Sequence, residues 1–147
     1  MSRTVLVPVD GSPLSSDALR LALREFPDAE ITAYHVIDLF QPDYPTADPG
    51  STYEPMIGTD EWDRFVADVR DALEADVSEI ASDYDRSVGI EFDVGDPARL
   101  VLEYVDDEGV DRIVVGAHGR ANANRPLFGS LAETVVRRAP VPVTVVR

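Results

Sequence analysis

The sequence predicts an α/β fold: a single domain over residues 1–147, built on a doubly wound, parallel β-sheet of five strands with helices on both faces. Two observations lead to this prediction. Short runs of β-branched residues alternate along the chain with longer stretches whose apolar residues recur at helical spacing. Each run is therefore joined to the next by a helical crossover, which parallel strands require. The central runs are also almost free of charge, as expected of strands buried on both faces.

The first part of the chain predicts two strands, one helix and a long insertion. Residues 4–9 form an apolar strand, and Ser12-Pro13 is a typical helix start. Residues 14–26 keep an apolar stripe at helical spacing, and residues 31–37 form the second strand. Residues 38–59 are rich in proline, aspartate, tyrosine and glycine, and they are too long for an ordinary connection. We expect a mobile insertion there, with a lid as the alternative.

The middle of the chain predicts the longest helix and a short strand. Asp60 is the expected N-cap of the helix. The apolar residues of this helix recur at helical spacing and are Trp62, Phe65, Val66, Val69, Leu73, Val77 and Ile80. Residues 87–94 are then predicted to form a short strand, in which the alternating apolar residues are Val88, Ile90, Phe92 and Val94.

The last third of the chain repeats the same alternation. Asp96-Pro97 starts a helix that ends at residues 106–109, and residues 113–115 form a short buried strand. After a loop that contains glycines, a helix begins near Leu131, and residues 140–147 form the closing strand.

The closing strand is expected to lie at an edge of the sheet. Its segment Val141–Val146 is apolar, and no later element of this sequence is available to cover it. Edge pairing with a second copy would bury this strand, so we expect a homodimer formed through residues 141–146. The alternative is that Pro140 and Pro142 protect the edge by themselves.

Acidic residues dominate the composition. The chain has 28 acidic and 13 basic residues and a formal net charge of -15, and every basic residue is an arginine. Such a surface repels nucleic acid at ordinary ionic strength, whereas in molar salt the screening length falls to about 3 Å. We therefore expect a protein of a halophilic archaeon that does not bind nucleic acid. An ordinary acidic protein is the alternative.

The sequence lacks two features, and their absence limits the location and the chemistry that we expect of the protein. The chain has no cysteine, which excludes disulfides, thiol nucleophiles and thiolate metal sites. It has no run of about 18 apolar residues, and residues 1–3 lead directly into a strand rather than a signal peptide. We expect a cytoplasmic protein with no membrane segment.

The loop after the fourth strand is the strongest motif. Gly116 and Gly119 follow the strand, and after nine intervening residues Gly129-Ser130 stands at the start of a helix. Glycines let backbone N–H groups approach a ligand, and a helix N-terminus adds donors and a positive dipole end, so the loop suits a phosphate. The other interpretation is a simple turn in which Ser130 and Glu133 form a capping box. Both interpretations can hold together.

This glycine pattern resembles the nucleotide-binding signature of universal stress proteins. The resemblance covers nearly the whole chain and is carried by Val5 to Ser12, His35-Val36-Ile37, Gly95-Asp96-Pro97, Gly116 to Ser130 and Pro140 to Val146. It implies a Rossmann-like sheet with strand order 3-2-1-4-5, which brings strands 1 and 4 side by side at a topological switch point. It also implies that the bound cofactor is ATP or AMP. Because a triphosphate near a domain with a net charge of -15 needs local neutralisation, we expect Mg²⁺ held mainly by the nucleotide phosphates.

The resemblance also implies which residues contact the nucleotide. Phosphates would meet the backbone of the three glycines and the Ser130 hydroxyl, Asp10 would face the nucleoside, and the main chain around Val36 would meet the adenine. The full set of cofactor-binding residues implied is Pro8, Val9, Asp10, Val36, Gly116, His118, Gly119, Arg120, Arg125, Gly129 and Ser130. From local sequence alone, Asp10 is equally well explained as the cap of its own turn. His35, alone in an apolar run, is interpreted as a packed side chain.

The chemistry predicted from the sequence is binding rather than catalysis. The motif G-x-x-x-x-G-K-[ST] is absent, and no catalytic group or metal cluster is recognisable. The resemblance implies a nucleotide-binding module for stress response or signalling, with at most slow ATP hydrolysis. The alternative is a dimeric stress protein that binds no nucleotide and acts as a scaffold or a chaperone-like partner.

Overall fold

A computed structural model describes residues 3–38, 58–118 and 129–147 of the chain. Strands and helices alternate in these ranges, as the sequence predicts. The elements are β1 (Thr4–Pro8), α1 (Pro13–Glu25), β2 (Glu30–Asp38), α2 (Asp60–Asp83), β3 (Gly89–Gly95), α3 (Pro97–Glu108), β4 (Arg112–Gly116), α4 (Ser130–Arg138) and β5 (Val143–Val146). The insertion predicted at residues 38–59 lies outside the described residues from residue 39 to residue 57.

The five strands form one parallel sheet in the order β3-β2-β1-β4-β5. This confirms the predicted fold class and strand order. β1 lies at the centre, with Val7 opposite Ala33 of β2 and Leu6 opposite Ile113 of β4. The chain leaves β1 toward one neighbour and reaches β4 on the other side, so their carboxyl ends meet where the winding reverses.

Two apolar cores cover the two faces of the sheet. Val5 and Val7 of β1 pack with α1 and α2, whereas Leu6 and Ile113 pack with α3 and α4. Because successive side chains of a strand point to opposite faces, the uncharged central strands supply both cores at once. A completely buried Val or Leu side chain contributes about 1.5–3 kcal/mol, so the central strands stabilise both cores.

The helix starts agree with the sequence at one position and differ at another. Ser12 caps α1, as predicted, and its hydroxyl accepts a hydrogen bond from the Ser15 N–H at 3.4 Å. The N-cap of α2 is Thr59 and not Asp60, because the Thr59 hydroxyl accepts the Trp62 N–H at 3.2 Å. Asp60 is the first helical residue, where its carboxylate interacts favourably with the helix dipole.

The strand β3 differs from the prediction in its bounds. It runs from Gly89 to Gly95 rather than over residues 87–94. Ile90 and Phe92 pack against the core of α1 and α2, whereas Val94 is 39% exposed. The physical reason is position, since Val94 stands near the end of an edge strand that has only one neighbouring strand.

The amino end of the sheet is closed by hydrogen bonds between distant segments. The Arg86 guanidinium donates to the carbonyls of Leu23, Phe26 and Ala29 at 2.9, 3.0 and 2.5 Å. It therefore satisfies carbonyls in the last turn of α1 and the loop after it, which have no partner within the helix. At the start of β1, the Thr4 N–H donates to the Asp111 carboxylate at 2.8 Å, and the Asp111 N–H donates back to the Thr4 carbonyl at 2.9 Å.

Among the described residues, no helix is both long and apolar enough to cross a membrane.

Candidate functional site

A crevice of about 770 Å³ opens at the carboxyl end of the sheet, where β1 and β4 lie side by side. Of the residues that the family resemblance marks for the cofactor, eight line it together: Pro8, Val9, Asp10, Val36, Gly116, His118, Gly129 and Ser130. The remaining three, Gly119, Arg120 and Arg125, lie outside the described residues. Residues far apart in sequence thus meet at one place, and its volume is in the range of small-molecule sites.

The end of β1 places Asp10 at this crevice. Gly11 adopts a left-handed backbone, with φ at 80°, and turns the chain from β1 into α1. One Asp10 carboxylate oxygen accepts the Ser12 N–H at 2.9 Å, and the Asp10 N–H donates to the Ser15 hydroxyl at 3.3 Å. Asp10 therefore caps its own turn, which was one of the two interpretations, and it also lines the crevice. The two roles are compatible because a carboxylate accepts several hydrogen bonds.

The main chain of Val36 faces the crevice because β2 is longer than β1. The last rung between these strands is the bond from the Val9 N–H to the Tyr34 carbonyl, at 2.9 Å. Alternate residues of a parallel strand direct their backbone groups to the same neighbour, so Val36 directs its N–H and C=O to the side of β1. Beyond Val9 the chain has turned away at Gly11. Within the described ranges, no backbone hydrogen bond joins Val36 to Val9 or Gly11.

His35 lies beneath this edge and is 5% exposed. Its ring meets the Phe92 ring edge to face, with centroids 6.4 Å apart, so the prediction of a packed side chain is confirmed. It has a second role that the sequence does not reveal. The Nδ1 atom lies 2.6 Å from the Val9 carbonyl oxygen, a buried hydrogen bond between residues 26 apart in the chain.

Packing against α1 explains why position 116 has no side chain, and Gly116 also lines the crevice. It pairs with Val146 in the sheet, and a Cβ atom at this position would lie 3.0–3.2 Å from the Cβ, C and O atoms of Leu14. Such distances are shorter than ordinary van der Waals contact, so a side chain here would push α1 away from β4. The glycine therefore allows the amino end of α1, with Asp10 before it, to approach β4.

The start of α4 corrects two expectations. The N-cap is Gly129 and Ser130 is the first helical residue, so the predicted capping box of Ser130 and Glu133 is wrong. The Gly129 N–H donates to the Ala117 carbonyl at 2.6 Å and is already engaged, contrary to its predicted role as a phosphate donor. The N–H groups of the first turn of α4 have no acceptor within the helix, and Ser130, Leu131 and Ala132 line the crevice.

The described wall of the crevice is more acidic than basic. Its carboxylates are Asp10, Asp38, Asp96, Glu103 and Asp106, and its arginines are Arg99 and Arg138. A polyphosphate entering this region would meet net negative charge from these residues, which favours a ligand whose phosphates carry a cation. The described residues contain no group of three or more carboxylates or histidines that could hold a metal ion.

Tyr34 forms part of the crevice wall and contacts Tyr104 of α3. The Tyr34 hydroxyl donates to Asp93 at 2.7 Å, and the Tyr34 and Tyr104 ring centroids are 4.8 Å apart. Burial, and then the hydrogen bond to Asp93, raise the pKa of Tyr34, so its hydroxyl is a fixed donor. Sequence analysis did not select Tyr34, because an isolated tyrosine within a strand has no motif.

Comparison with known proteins agrees with the fold and with the resemblance in the sequence. The model of the universal stress protein family matches residues 1–147. Universal stress protein MJ0531 of Methanocaldococcus jannaschii is 28% identical over 153 residues, which cover 99% of this chain and 82% of that protein.

Solved structures share the same architecture. The universal stress protein UspA from Lactobacillus plantarum matches with a TM-score of 0.76 and 28% identity, covering 99% of this chain and 97% of that one. A universal stress protein from Archaeoglobus fulgidus, solved in complex with dAMP, matches with a TM-score of 0.64 and 23% identity, covering 100% and 98%. At 23% identity, the similarity to the Archaeoglobus fulgidus protein concerns the fold alone.

Proposed function

Because the chain belongs to the universal stress protein family, we propose that it binds an adenine nucleotide, ATP or AMP, in the crevice between β1 and β4. In this role it is a cytoplasmic module for stress response or signalling, in which the bound nucleotide changes the partners or the assembly of the protein. Hydrolysis, if present, is slow.

The observation that carries this proposal is the position of the Val36 main chain beside Asp10. The N–H and C=O of Val36 form an adjacent donor and acceptor beyond the end of β1, and Asp10 lies in the same crevice. Adenine presents the matching pair, because N1 accepts and the N6 amino group donates. The Asp10 carboxylate can accept hydrogen bonds from ribose hydroxyls. A universal stress protein of the same fold is solved in complex with dAMP, so this fold can accommodate an AMP-type ligand.

The phosphates in this proposal lie at the amino end of α4. The first-turn N–H groups and the Ser130 hydroxyl supply donors, and the helix dipole favours negative charge there. Since the described wall carries more carboxylates than arginines, we propose that ATP enters as its Mg²⁺ complex, with the ion held through the phosphates.

Thermal unfolding in molar KCl tests the proposal. Mg-ATP or Mg-AMP at about 100 times its dissociation constant should stabilise the protein by about 2.7 kcal/mol. Mg-GTP and inorganic tripolyphosphate are the controls, because they share charge but lack the adenine edge. An unchanged midpoint with every adenine nucleotide would contradict the proposal.

A dimeric scaffold that binds no nucleotide is the second candidate. The engaged Gly129 N–H favours it, because one of the predicted phosphate donors is already satisfied by Ala117. Under this candidate the protein would remain dimeric but show no stabilisation with nucleotides, so the same unfolding experiment separates the two functions.

Under either function we propose a homodimer formed through β5. All four residues of this edge strand are only partly buried, and they carry no charge. The Ile113 N–H donates to the Pro142 carbonyl and the Ala117 N–H to the Val146 carbonyl, so the even-numbered residues face β4. By alternation, Val143 and Val145 direct their backbone groups outward, where a second copy would pair.

Sedimentation of the Val145→Pro variant tests the dimer. Proline at this position removes one outward N–H but no bond to β4, so the dimer should dissociate to the 16.1 kDa chain while the fold is kept. A parent protein that already sediments at 16.1 kDa in molar KCl would exclude the proposed assembly.

We also propose that the protein works at high salt, since its net charge is -15. Screening of this charge should raise the unfolding midpoint between 0.1 and 2 M KCl. A midpoint independent of salt would argue for an ordinary acidic protein.

A further inference from the structure

We propose that His35 is a positioning residue that keeps the Val36 N–H available to the nucleobase, and so selects a base with an acceptor at the N1 position. The inference rests on the proposed nucleotide function. It goes beyond that function because it assigns to a buried histidine the task of preventing a backbone hydrogen bond.

The ladder between β1 and β2 explains what would happen without His35. In a regular parallel ladder, the rung after the bond from Val9 N–H to Tyr34 O runs from the Val36 N–H to the Val9 carbonyl. The described backbone bonds do not include that rung. The Val9 carbonyl is instead engaged by the His35 Nδ1 atom at 2.6 Å. The His35 side chain therefore makes the hydrogen bond to Val9 that the Val36 N–H would make in a regular ladder.

The chemistry of this contact defines the state of the ring. A carbonyl oxygen only accepts hydrogen bonds, so the Nδ1 atom must carry a proton. Both partners are buried, with His35 at 5% and Val9 at 6% exposure, so the bond is protected from exchange with water. Loss of the donor would leave the Val9 carbonyl buried without its partner, which is unfavourable. The adjacent Val36 N–H is the group placed to replace it.

The expected consequence is base selection. With the Val36 N–H directed at the crevice, adenine is accepted, because its N1 atom is an acceptor beside the N6 donor. Guanine is disfavoured, because its N1–H meets the Val36 N–H as a second donor, and one of the two donors stays unsatisfied. If the Val36 N–H moved to the Val9 carbonyl, this distinction at N1 would disappear.

Two substitutions separate the donor from the ring. His35→Phe keeps an aromatic ring beside Phe92 but removes the donor. His35→Asn removes the ring but keeps an amide N–H at the place of Nδ1. If His35 only fills space, Phe should preserve the behaviour of the parent and Asn should not; if the donor matters, the order is reversed.

The first experiment compares the affinities of Mg-ATP and its 1-deaza analogue, whose N1 acceptor is replaced by C–H. The parent and His35→Asn should bind ATP about tenfold more tightly than the analogue, because one buried hydrogen bond is lost. In His35→Phe the ratio should fall to about one. A tenfold ratio retained in His35→Phe would overturn the assignment, whereas uniformly weaker binding of both ligands would indicate a merely structural role and also overturn it.

The second experiment needs no nucleotide. Amide hydrogen exchange at Val36, measured by NMR on the ligand-free protein, should be slower in His35→Phe than in the parent, because the N–H becomes bonded to Val9. His35→Asn should exchange like the parent. Equal exchange in all three proteins would overturn the role of His35. If the exchange rates differ as expected but the parent binds no nucleotide, the proposed function fails while the backbone role of His35 stands.

Discussion

The two ends of the sheet are built for different purposes. At the amino end, Arg86 bridges three carbonyls and Thr4 exchanges two hydrogen bonds with Asp111. At the carboxyl end, β2 extends past β1, and the first turns of α1 and α4 border an open crevice. One sheet can therefore carry stabilising hydrogen bonds at its amino end and backbone groups directed at a crevice at its carboxyl end. Substitutions at the two ends should therefore separate stability from binding.

The largest expected effect is at the amino end. Arg86→Ala should lower the free energy of unfolding by about 3 kcal/mol, because charged hydrogen bonds to partly buried carbonyls are lost together. The nucleotide affinity of the folded protein should be unchanged. Chemical denaturation measures the first quantity and calorimetric titration the second. Arg86→Lys is the control for charge, and it should recover only part of the stability because an ammonium lacks the planar fork.

Gly116→Ala should affect stability and binding together, because Gly116 packs against α1 and also lines the crevice. The new Cβ atom would lie 3.0–3.2 Å from Leu14, so we expect a loss of about 2 kcal/mol together with weaker nucleotide binding as α1 shifts. Gly89→Ala is the matched control, since its Cβ atom would meet only ordinary contacts at 3.6 and 3.9 Å. Equal stability of the two variants in denaturant would show that the contact with Leu14 is unimportant.

At the carboxyl end, Asp10→Asn should affect binding alone. The amide oxygen can still accept the Ser12 N–H, so the turn and the unfolding free energy should be preserved. Loss of the charged acceptor for the ribose should weaken nucleotide binding about tenfold. Titration calorimetry provides the test, and an unchanged affinity would place the ribose elsewhere in the crevice.

The smallest expected effect concerns Tyr34, which lines the crevice but contributes to stability. Its pKa is raised above the ordinary value of about 10, first by burial and then by Asp93. The unfolded chain therefore releases this proton near pH 10 while the folded chain keeps it. The contribution to stability is complete below pH 10 and is lost as the pH rises above 10.

Tyr34→Phe should consequently cost about 1 kcal/mol or less at neutral pH and weaken the loss of stability above pH 10. Denaturant midpoints of the parent and the variant, measured from pH 8 to pH 11, would reveal this weaker loss of stability. Parallel curves for the parent and the variant would mean that Tyr34 does not titrate in the unfolding reaction.

Local patterns in the sequence predicted the strands and helices, but they could not predict contacts between segments that are distant in the chain. The alternation of apolar runs and helical stripes indicated each strand and helix of the described residues, and the Ser12-Pro13 start of α1 was correct because capping is local. The cap of α2 was one residue off, since Thr59 and Asp60 both suit the position. Arg86 gave no signal, because its acceptors lie 57 to 63 residues away.

The candidate site shows the same limit. The resemblance to a known family grouped Asp10, Val36 and Ser130, and the structure places all three on one crevice. It could not show that Gly116 is needed for α1 packing or that the Gly129 N–H is already engaged. Nor could it show the contact of His35 with Val9, which depends on where β1 ends relative to β2. Register is a property of the pair of strands and not of either sequence.

The hydrogen bond between Ala117 and Gly129 has a consequence for evolution and engineering. It joins the residue after β4 to the N-cap residue of α4 at 2.6 Å, so a backbone hydrogen bond holds the sheet and α4 together directly. The entropic cost of a longer connection between fixed ends grows slowly, by about 0.6 kcal/mol for each doubling of length. The length of the connection between these two fixed ends can therefore change at little cost in stability.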